Sequence, residues 1–119
     1  MINLPKLLKS FTFAFKGFDT LIKQENNFRF HLLAAMVVIF LSIYLEITKV
    51  EWILIILCIA LVWMAEAFNS ALEMLVDLVT AEKNPLAGKI KDVAAAAVTL
   101  MAMGALIVGI IVFYPHLVG

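Results

Sequence analysis

The sequence has few charged residues, one cysteine and no excess of either charge sign. Of its 119 residues 15% are charged, and nine lysines and arginines balance nine aspartates and glutamates. A single cysteine excludes an intrachain disulfide framework and a cysteine metal cluster. Zero net charge excludes the broad basic surface that nucleic-acid-binding proteins use. Cys58 lies within an apolar segment, where we interpret it as a small hydrophobic residue.

Two familiar sequence motifs are also missing. The chain contains no G-x-x-x-x-G-K-[ST], so any nucleotide site differs from a P-loop. Its first 18 residues contain lysines but no unbroken apolar stretch and no small-residue cleavage site. We therefore expect this segment to remain in the mature protein rather than to be removed as a signal peptide.

The chain is rich in hydrophobic residues, which make up 65% of the sequence. So small a soluble domain could not bury that much apolar surface in one core. Three apolar segments, at residues 28–45, 52–79 and 92–114, are long enough to cross a bilayer. Residues 5–24 place phenylalanines and leucines on one helical face and lysines on the other, typical of a helix in the membrane interface. The predicted fold is a single all-α membrane domain with one interfacial helix and three transmembrane helices.

The positively charged residues are distributed unequally between the two predicted membrane sides. Lys49 is the only one of the nine between the first and second spans; the other eight lie before or at the start of the first span, or between the second and third. By the positive-inside rule, the N-terminus and the loop at residues 80–92 are cytoplasmic and the C-terminus is outside.

One face of the second span carries a stripe of polar residues, which we call the acidic stripe. Its members are Glu66, Asn69, Ser70, Glu73 and Asp77. Offsets of 0, 3, 4, 7 and 11 residues place them on one side of a helix, over about 16 Å. A charged side chain at membrane depth costs about 2.5–3.5 kcal/mol on insertion scales, so Glu66 is a functional candidate.

Structural explanations remain open for several of these residues. A buried carboxylate can join helices by pairing with a lysine or an amide, and Asn69 can serve interhelical hydrogen bonding alone. Asp77 lies nearer the cytoplasm and can be solvated or pair with another helix. We interpret Ser70 as a small packing residue, because no histidine or lysine base is close to it in sequence.

Other charged residues at the cytoplasmic side suit a magnesium nucleotide. Mg²⁺ binds through one or two carboxylates together with phosphate oxygens and water, and Glu25 precedes the first span on the same side as the acidic stripe. Lys83, Lys89 and Lys91 can neutralise phosphate charge, although the positive-inside rule alone explains one or two of them. Pro85 and Gly88 predict turns in the same segment.

Several segments together resemble a known family. The pattern E-x-x-N-S-A-x-E-x-x-x-D at residues 66–77, followed by K-D-x-x-A-A-A-V at 91–98, resembles the bacterial diacylglycerol kinase and undecaprenol kinase family. FKGF at 15–18 and ENNFRFH at 25–31 match the family's N-terminal helix and the start of its first span. The resemblance covers nearly the whole chain.

The resemblance implies a homotrimeric lipid kinase of the bacterial cytoplasmic membrane, with active sites shared between subunits, ATP as donor and Mg²⁺ as cofactor. Glu66 resembles the catalytic base, supported by Asn69, while Glu25 and Glu73 resemble the metal-binding carboxylates. The residues implied in nucleotide binding are Glu25, Glu73, Asp77, Glu82, Lys83, Asn84, Lys91 and Asp92. Those implied in lipid binding are Lys6, Arg29, Glu66 and Ala95. Phe13 and Phe15 stand where other members can have tyrosine or tryptophan, which leaves no hydroxyl there for the nucleotide.

The sequence also bears on the identity of the lipid acceptor and on two alternative functions, a transporter and a structural subunit. The segments ENNFRFH, VEWILII and NPLAGKIKD look closer to the undecaprenol kinase branch than to the diacylglycerol kinase branch. A small multidrug-resistance-type transporter would have four spans and an acidic residue in the first, which the sequence does not show. A structural membrane subunit would explain the alanines at 94–97, a small-residue face that favours helix packing, but not the acidic stripe.

Overall fold

The computed structural model describes all residues 1–119 and contains four helices and no strand. The helices are α1 (Leu4–Gln24), α2 (Asn26–Leu45), α3 (Lys49–Val79) and α4 (Pro85–Val118). By length and composition, α2, α3 and α4 can each cross a membrane. The all-α fold with three apolar spans is as the sequence predicted.

Most of the surface is apolar, as expected of a chain with lipid as its solvent. Only 14 of the 119 residues are buried, whereas large hydrophobic side chains are exposed along all four helices. The most extensive contact between helices is that of α3 with α4. At 31 and 34 residues, they are about 46 and 51 Å long, so both extend beyond about 30 Å of hydrocarbon.

The α2–α3 end of the bundle is fixed by capping and packing. Thr48 caps α3 in a reciprocal arrangement with Glu51, which satisfies two backbone donors at the start of the helix. Glu51 also contacts Nε2 of His116 at 2.9 Å, which connects the start of α3 to the end of α4. A small core that includes Ile55 and Phe113 lies beside this contact.

The start of α4 differs from the sequence expectation. Pro85 and Gly88 predicted turns, but α4 begins at Pro85 and includes Gly88. Proline is favoured in the first turn of a helix, where its missing N–H has no intrahelical partner. The Asn84 side chain caps this turn by accepting hydrogen bonds from the N–H groups of Leu86 and Ala87. Lys91 is therefore on a helix, not in a loop.

Phe28 joins α1, α2 and α3 beside the acidic stripe. It is 1% exposed, and its ring lies 6.5 Å from that of Phe18 on α1 and 5.9 Å from that of Trp63 on α3. Aromatic pairs at these separations add packing energy beyond simple burial. Phe28 thereby fixes the α1–α2 junction, where Glu25 lies.

Candidate active site

The acidic stripe becomes progressively more exposed along α3. Glu66, Asn69 and Ser70 are 2%, 7% and 2% exposed, whereas Glu73 is half-buried and Asp77 is exposed. Because a buried charge needs compensation, burial of a carboxylate within an apolar helix indicates a special role.

Glu66 lines a cavity of about 410 Å³ between α2, α3 and α4, which we call the Glu66 cavity. The polar residues that line it are Asn27, His31, Glu66, Asn69 and Thr99. Ala95 on α4 lines it as well. All three spans therefore contribute to one site, and the catalytic candidates Glu66 and Asn69 lie in it together.

Two buried oxygen atoms in this cavity have no hydrogen-bond partner in the chain. Nε2 of His31 lies 3.4 Å from Oε2 of Glu66, a distance typical of an ion pair, but the geometry is not that of a hydrogen bond. The other atom is Oδ1 of Asn69, whose Nδ2 donates to Oε1 of Glu73 at 3.4 Å. Buried polar atoms without partners are rare in folded proteins, and two of them together single out this cavity as a candidate functional site.

Glu25 and Glu73, the predicted metal ligands, are near Glu66. Both are close enough for their negative charges to act on its carboxylate. Glu25 is the residue before α2, and its side chain makes no capping hydrogen bond there. No three metal-binding side chains come together in the chain, but Mg²⁺ on a nucleotide needs only one or two carboxylates. The hard oxygens of Glu25 and Glu73 fit that requirement.

A second cavity, of about 530 Å³, lies where α3 ends and α4 begins. Of the eight predicted nucleotide-binding residues it brings together Asp77, Glu82, Lys83, Asn84 and Lys91. The other three, Glu25, Glu73 and Asp92, do not line it. We call this space the loop cavity.

Three of the predicted residues in the loop cavity already have partners in the chain. Nζ of Lys91 lies 2.7 Å from Oδ1 of Asp77, so Asp77 pairs α3 with α4, as one of the alternatives for it proposed. The negative charge of Glu73 also acts on Lys91. The side chain of Asn84 is engaged in capping α4.

The predicted lipid-binding residues other than Glu66 are dispersed. Ala95 lines the Glu66 cavity. Arg29 donates to the carbonyl oxygens of Ile22 and Lys23, each at 3.1 Å, and so satisfies orphan acceptors at the end of α1. Lys6 is exposed near the start of α1 and lines neither cavity. The roles of these residues in lipid binding stay predictions.

A long apolar groove adjoins the Glu66 cavity. It has a volume of about 700 Å³, and 17 of its 19 lining residues are hydrophobic. The groove extends from Phe30 and His31 to Tyr114 and Leu117, and it shares His31 with the Glu66 cavity. A polar compartment with a buried carboxylate thus adjoins an apolar surface suited to a hydrocarbon chain.

Comparison with known proteins identifies the family. The model of the prokaryotic diacylglycerol kinase family matches residues 12–113. This chain belongs to the prokaryotic diacylglycerol kinase family. Members of the family that resemble it include the undecaprenol kinase of Bacillus subtilis, 38% identical over 97% of this chain and 94% of the relative. The diacylglycerol kinase of Haemophilus influenzae is 35% identical over 81% of each chain, and that of Escherichia coli K12 is 28% identical over 96% and 93%.

Membership of the prokaryotic diacylglycerol kinase family establishes the general activity. The chain is a lipid kinase, a phosphotransferase with an alcohol acceptor, and a multi-pass membrane protein. The resemblance seen in the sequence is therefore confirmed at the level of the family. Neither a transporter nor a structural subunit is needed to explain the acidic stripe.

Three residues of the candidate site had no role in the sequence prediction. Asn27 and His31 on α2 and Thr99 on α4 all line the Glu66 cavity. The signal for His31 was its place in the apolar run of the first span, where a titratable residue is costly. Asn27 and Thr99 gave no such signal, since amides and hydroxyls at the end of a span or within it commonly bond to their own helix, as Thr99 does to Ala95.

Proposed function

We propose that this kinase transfers the γ-phosphate of ATP, bound with Mg²⁺, to the hydroxyl of a membrane lipid alcohol, with undecaprenol as the preferred acceptor. The product would be undecaprenyl phosphate, or phosphatidic acid if diacylglycerol is the acceptor. The observation that carries this proposal is the buried carboxylate of Glu66, at the place where a polar cavity meets an apolar groove. A lipid alcohol has the same division into one hydroxyl and a long hydrocarbon part.

Glu66 is proposed as the general base. In phosphoryl transfer the acceptor oxygen forms a bond to the γ-phosphorus while the bond to the β-phosphate oxygen breaks, and the hydroxyl proton must leave. A carboxylate within hydrogen-bond reach of the hydroxyl takes that proton. With its hydrocarbon in the groove and its hydroxyl in the Glu66 cavity, a lipid alcohol would meet these requirements.

Charged residues nearer the cytoplasm are proposed to hold the nucleotide. Glu25 and Glu73 would hold Mg²⁺, which, when bound, neutralises phosphate charge as the transition state forms. Lys91, which pairs with Asp77, would approach the phosphates, and Glu82, Lys83, Asn84 and Asp92 would contact the rest of the nucleotide. Positioning and charge neutralisation are the main requirements of this reaction.

The preference for undecaprenol rests on two observations. The relative that is 38% identical over 97% of this chain is named an undecaprenol kinase, whereas the diacylglycerol kinases of Haemophilus influenzae and Escherichia coli K12 are 35% identical over 81% and 28% identical over 96% of it. The apolar groove also offers one continuous path from His31 to the far end of α4. A single long polyprenyl chain suits such a path.

The experiment offers both acceptors side by side to the purified protein in lipid bilayers, with Mg²⁺ and ATP labelled at the γ-phosphate. We expect labelled undecaprenyl phosphate to form at a higher kcat/KM than labelled phosphatidic acid. A higher kcat/KM for diacylglycerol would contradict the proposed preference and leave the lipid-kinase assignment intact.

The assembly is proposed to be a homotrimer with active sites shared between subunits. Ala94 is buried within the chain, but Ala95, Ala96 and Ala97 are exposed on α4. Small residues allow close approach of helices in lipid. Mass determination of the complex released from nanodiscs would test the trimer, and restored activity on mixing two inactive variants would test the sharing of sites.

Removal of the Lys91 side-chain charge is expected to weaken nucleotide binding. Lys91→Met should lower the affinity for Mg-ATP about 10-fold, since hydrogen bonds to charged groups contribute about 1.5–3 kcal/mol. Lys89→Met is the matched control, because Lys89 is exposed on the same helix and lines neither cavity. Equal Mg-ATP affinities in the two variants, measured by calorimetry, would remove Lys91 from the nucleotide site.

The proposed location is the bacterial cytoplasmic membrane, with the N-terminus and the α3–α4 loop in the cytoplasm. In a Cys58→Ser background, an impermeant maleimide should label a Lys49→Cys variant in intact spheroplasts but label a Lys89→Cys variant only after lysis. Lys49 lies at the start of α3 and Lys89 near the start of α4, so they report on opposite membrane faces. The reverse pattern would contradict the proposed orientation.

A further inference from the structure

His31 is the only titratable side chain other than Glu66 that lines the Glu66 cavity. Its Nε2 lies 3.4 Å from Oε2 of Glu66, and its side chain is 19% exposed while that of Glu66 is 3% exposed. It lies on α2, so the pair joins two transmembrane helices at the base of the cavity.

The position of His31 is itself fixed by contacts with neighbouring aromatic residues. Nε1 of Trp63 donates to the carbonyl oxygen of His31 at 3.4 Å. The ring of Phe30 lies edge-on to the imidazole, with 5.6 Å between centroids and an angle of 78°. These contacts restrain the segment of α2 that presents the imidazole, and Trp63 belongs to the same helix as Glu66.

Three titratable groups act electrostatically on the Glu66 carboxylate. Two of them, Glu25 and Glu73, are carboxylates, and the third is the imidazole of His31. The side of the cavity formed by α4 contributes no titratable residue. Among these groups, only His31 has an N–H that can donate to the Glu66 carboxylate and so restrain it.

The two oxygens of Glu66 differ in their surroundings. Oε2, the oxygen nearest His31, is fully enclosed and has no hydrogen-bond partner. Oε1 is not fully enclosed. A small rotation that brought Nε2–H into line with Oε2 would satisfy the enclosed oxygen. That hydrogen bond would leave Oε1 directed to the cavity, where an acceptor hydroxyl would lie.

We propose that His31 is a positioning residue, which holds Oε2 of Glu66 and so directs Oε1 to the hydroxyl of the acceptor lipid. This inference rests on the proposed function, with Glu66 as the base. During transfer the acceptor oxygen bonds to the γ-phosphorus, the bond from that phosphorus to ADP breaks, and the hydroxyl proton moves to Oε1. His31 touches the base and not the reacting atoms. Its place in both the Glu66 cavity and the apolar groove puts it beside the point at which the lipid enters.

The test compares His31→Leu with His31→Gln in bilayers, with undecaprenol and diacylglycerol each offered as acceptor. We expect His31→Leu to lower kcat about 10- to 100-fold, the usual loss when an orienting partner is removed, with Mg-ATP affinity unchanged. His31→Gln should recover most of kcat, because its amide N–H can donate to the same oxygen. His116→Leu is the matched control, since His116 contacts Glu51 at the other end of the bundle, and it should retain the wild-type kcat.

Other outcomes of this experiment would overturn the positioning role of His31. A wild-type kcat in His31→Leu would overturn the positioning role, and so would equal losses in the leucine and glutamine variants. Loss of Mg-ATP binding along with kcat in both variants would assign His31 to folding and overturn the proposal as well. A wild-type protein that transfers phosphate to neither lipid would instead overturn the proposed function, on which the inference rests.

Discussion

Glu66→Gln is expected to abolish most turnover while Mg-ATP still binds. Glutamine has nearly the shape of glutamate but cannot accept the hydroxyl proton, and a positioned general base contributes about 10²- to 10⁴-fold to a rate. Glu66 is 2% exposed and lines the cavity formed by α2, α3 and α4. We therefore expect kcat to fall by about that factor, measured as phosphate transfer to lipid at saturating ATP.

The control for this substitution is Glu46→Gln, the same chemical change at an exposed residue between α2 and α3. It should keep the wild-type kcat. Mg-ATP affinity, measured by calorimetry on the same preparations, separates loss of the base from loss of the nucleotide site. Wild-type turnover in Glu66→Gln would remove Glu66 from the role of base.

Glu73→Gln should produce the second large effect, in the dependence on Mg²⁺. Oε1 of Glu73 accepts a hydrogen bond from Asn69, which orients the carboxylate on the acidic stripe. Loss of one of two proposed carboxylate ligands should raise the Mg²⁺ concentration for half-maximal activity about 10-fold or more, because Mg²⁺ on a nucleotide has few protein ligands to share the loss.

The Mg²⁺ dependence of Glu73→Gln is measured by titration of transfer at fixed ATP, with Glu46→Gln as the control. We expect activity in Glu73→Gln to recover at high Mg²⁺, in contrast to Glu66→Gln, where added metal cannot replace the base. A Mg²⁺ titration identical to that of the wild type would exclude Glu73 as a ligand.

The spacing of residues along one helix was the most informative feature of the sequence. The offsets from Glu66 to Asp77 placed five polar residues on one face of α3, and three of them are buried in the structure. Such a prediction needs only the helical period. The three apolar spans were predictable for a similar reason, since hydrocarbon thickness sets a minimum length for each.

Relationships between helices could not be predicted from spacing. His31 and Glu66 are 35 positions apart in sequence, yet their side chains lie 3.4 Å apart because α2 and α3 pack together. The pairing of Lys91 with Asp77 likewise depends on how α4 follows α3. The start of α4 was mistaken because Pro85 favours both turns and helix starts, while Gly88 is tolerated within the helix; the cap from Asn84 fixes the helix start.

The fold also places polar and apolar binding surfaces in sequence along the bundle. The loop cavity lies at the junction of α3 and α4, the Glu66 cavity lies farther along the same two helices, and the apolar groove continues to Leu117. Under the proposed function, a nucleotide from the cytoplasm and a lipid from the bilayer would approach Glu66 from opposite directions.

The most direct test of the central claim follows a radioactive label from ATP to lipid. The wild-type protein in bilayers that contain undecaprenol and diacylglycerol is incubated with Mg²⁺ and ATP labelled either at the γ-phosphate or at the α-phosphate, with and without EDTA. The account predicts a labelled lipid phosphate from the γ-label only, and none with EDTA. No labelled lipid from the γ-label, or equal labelling with EDTA present, would contradict it.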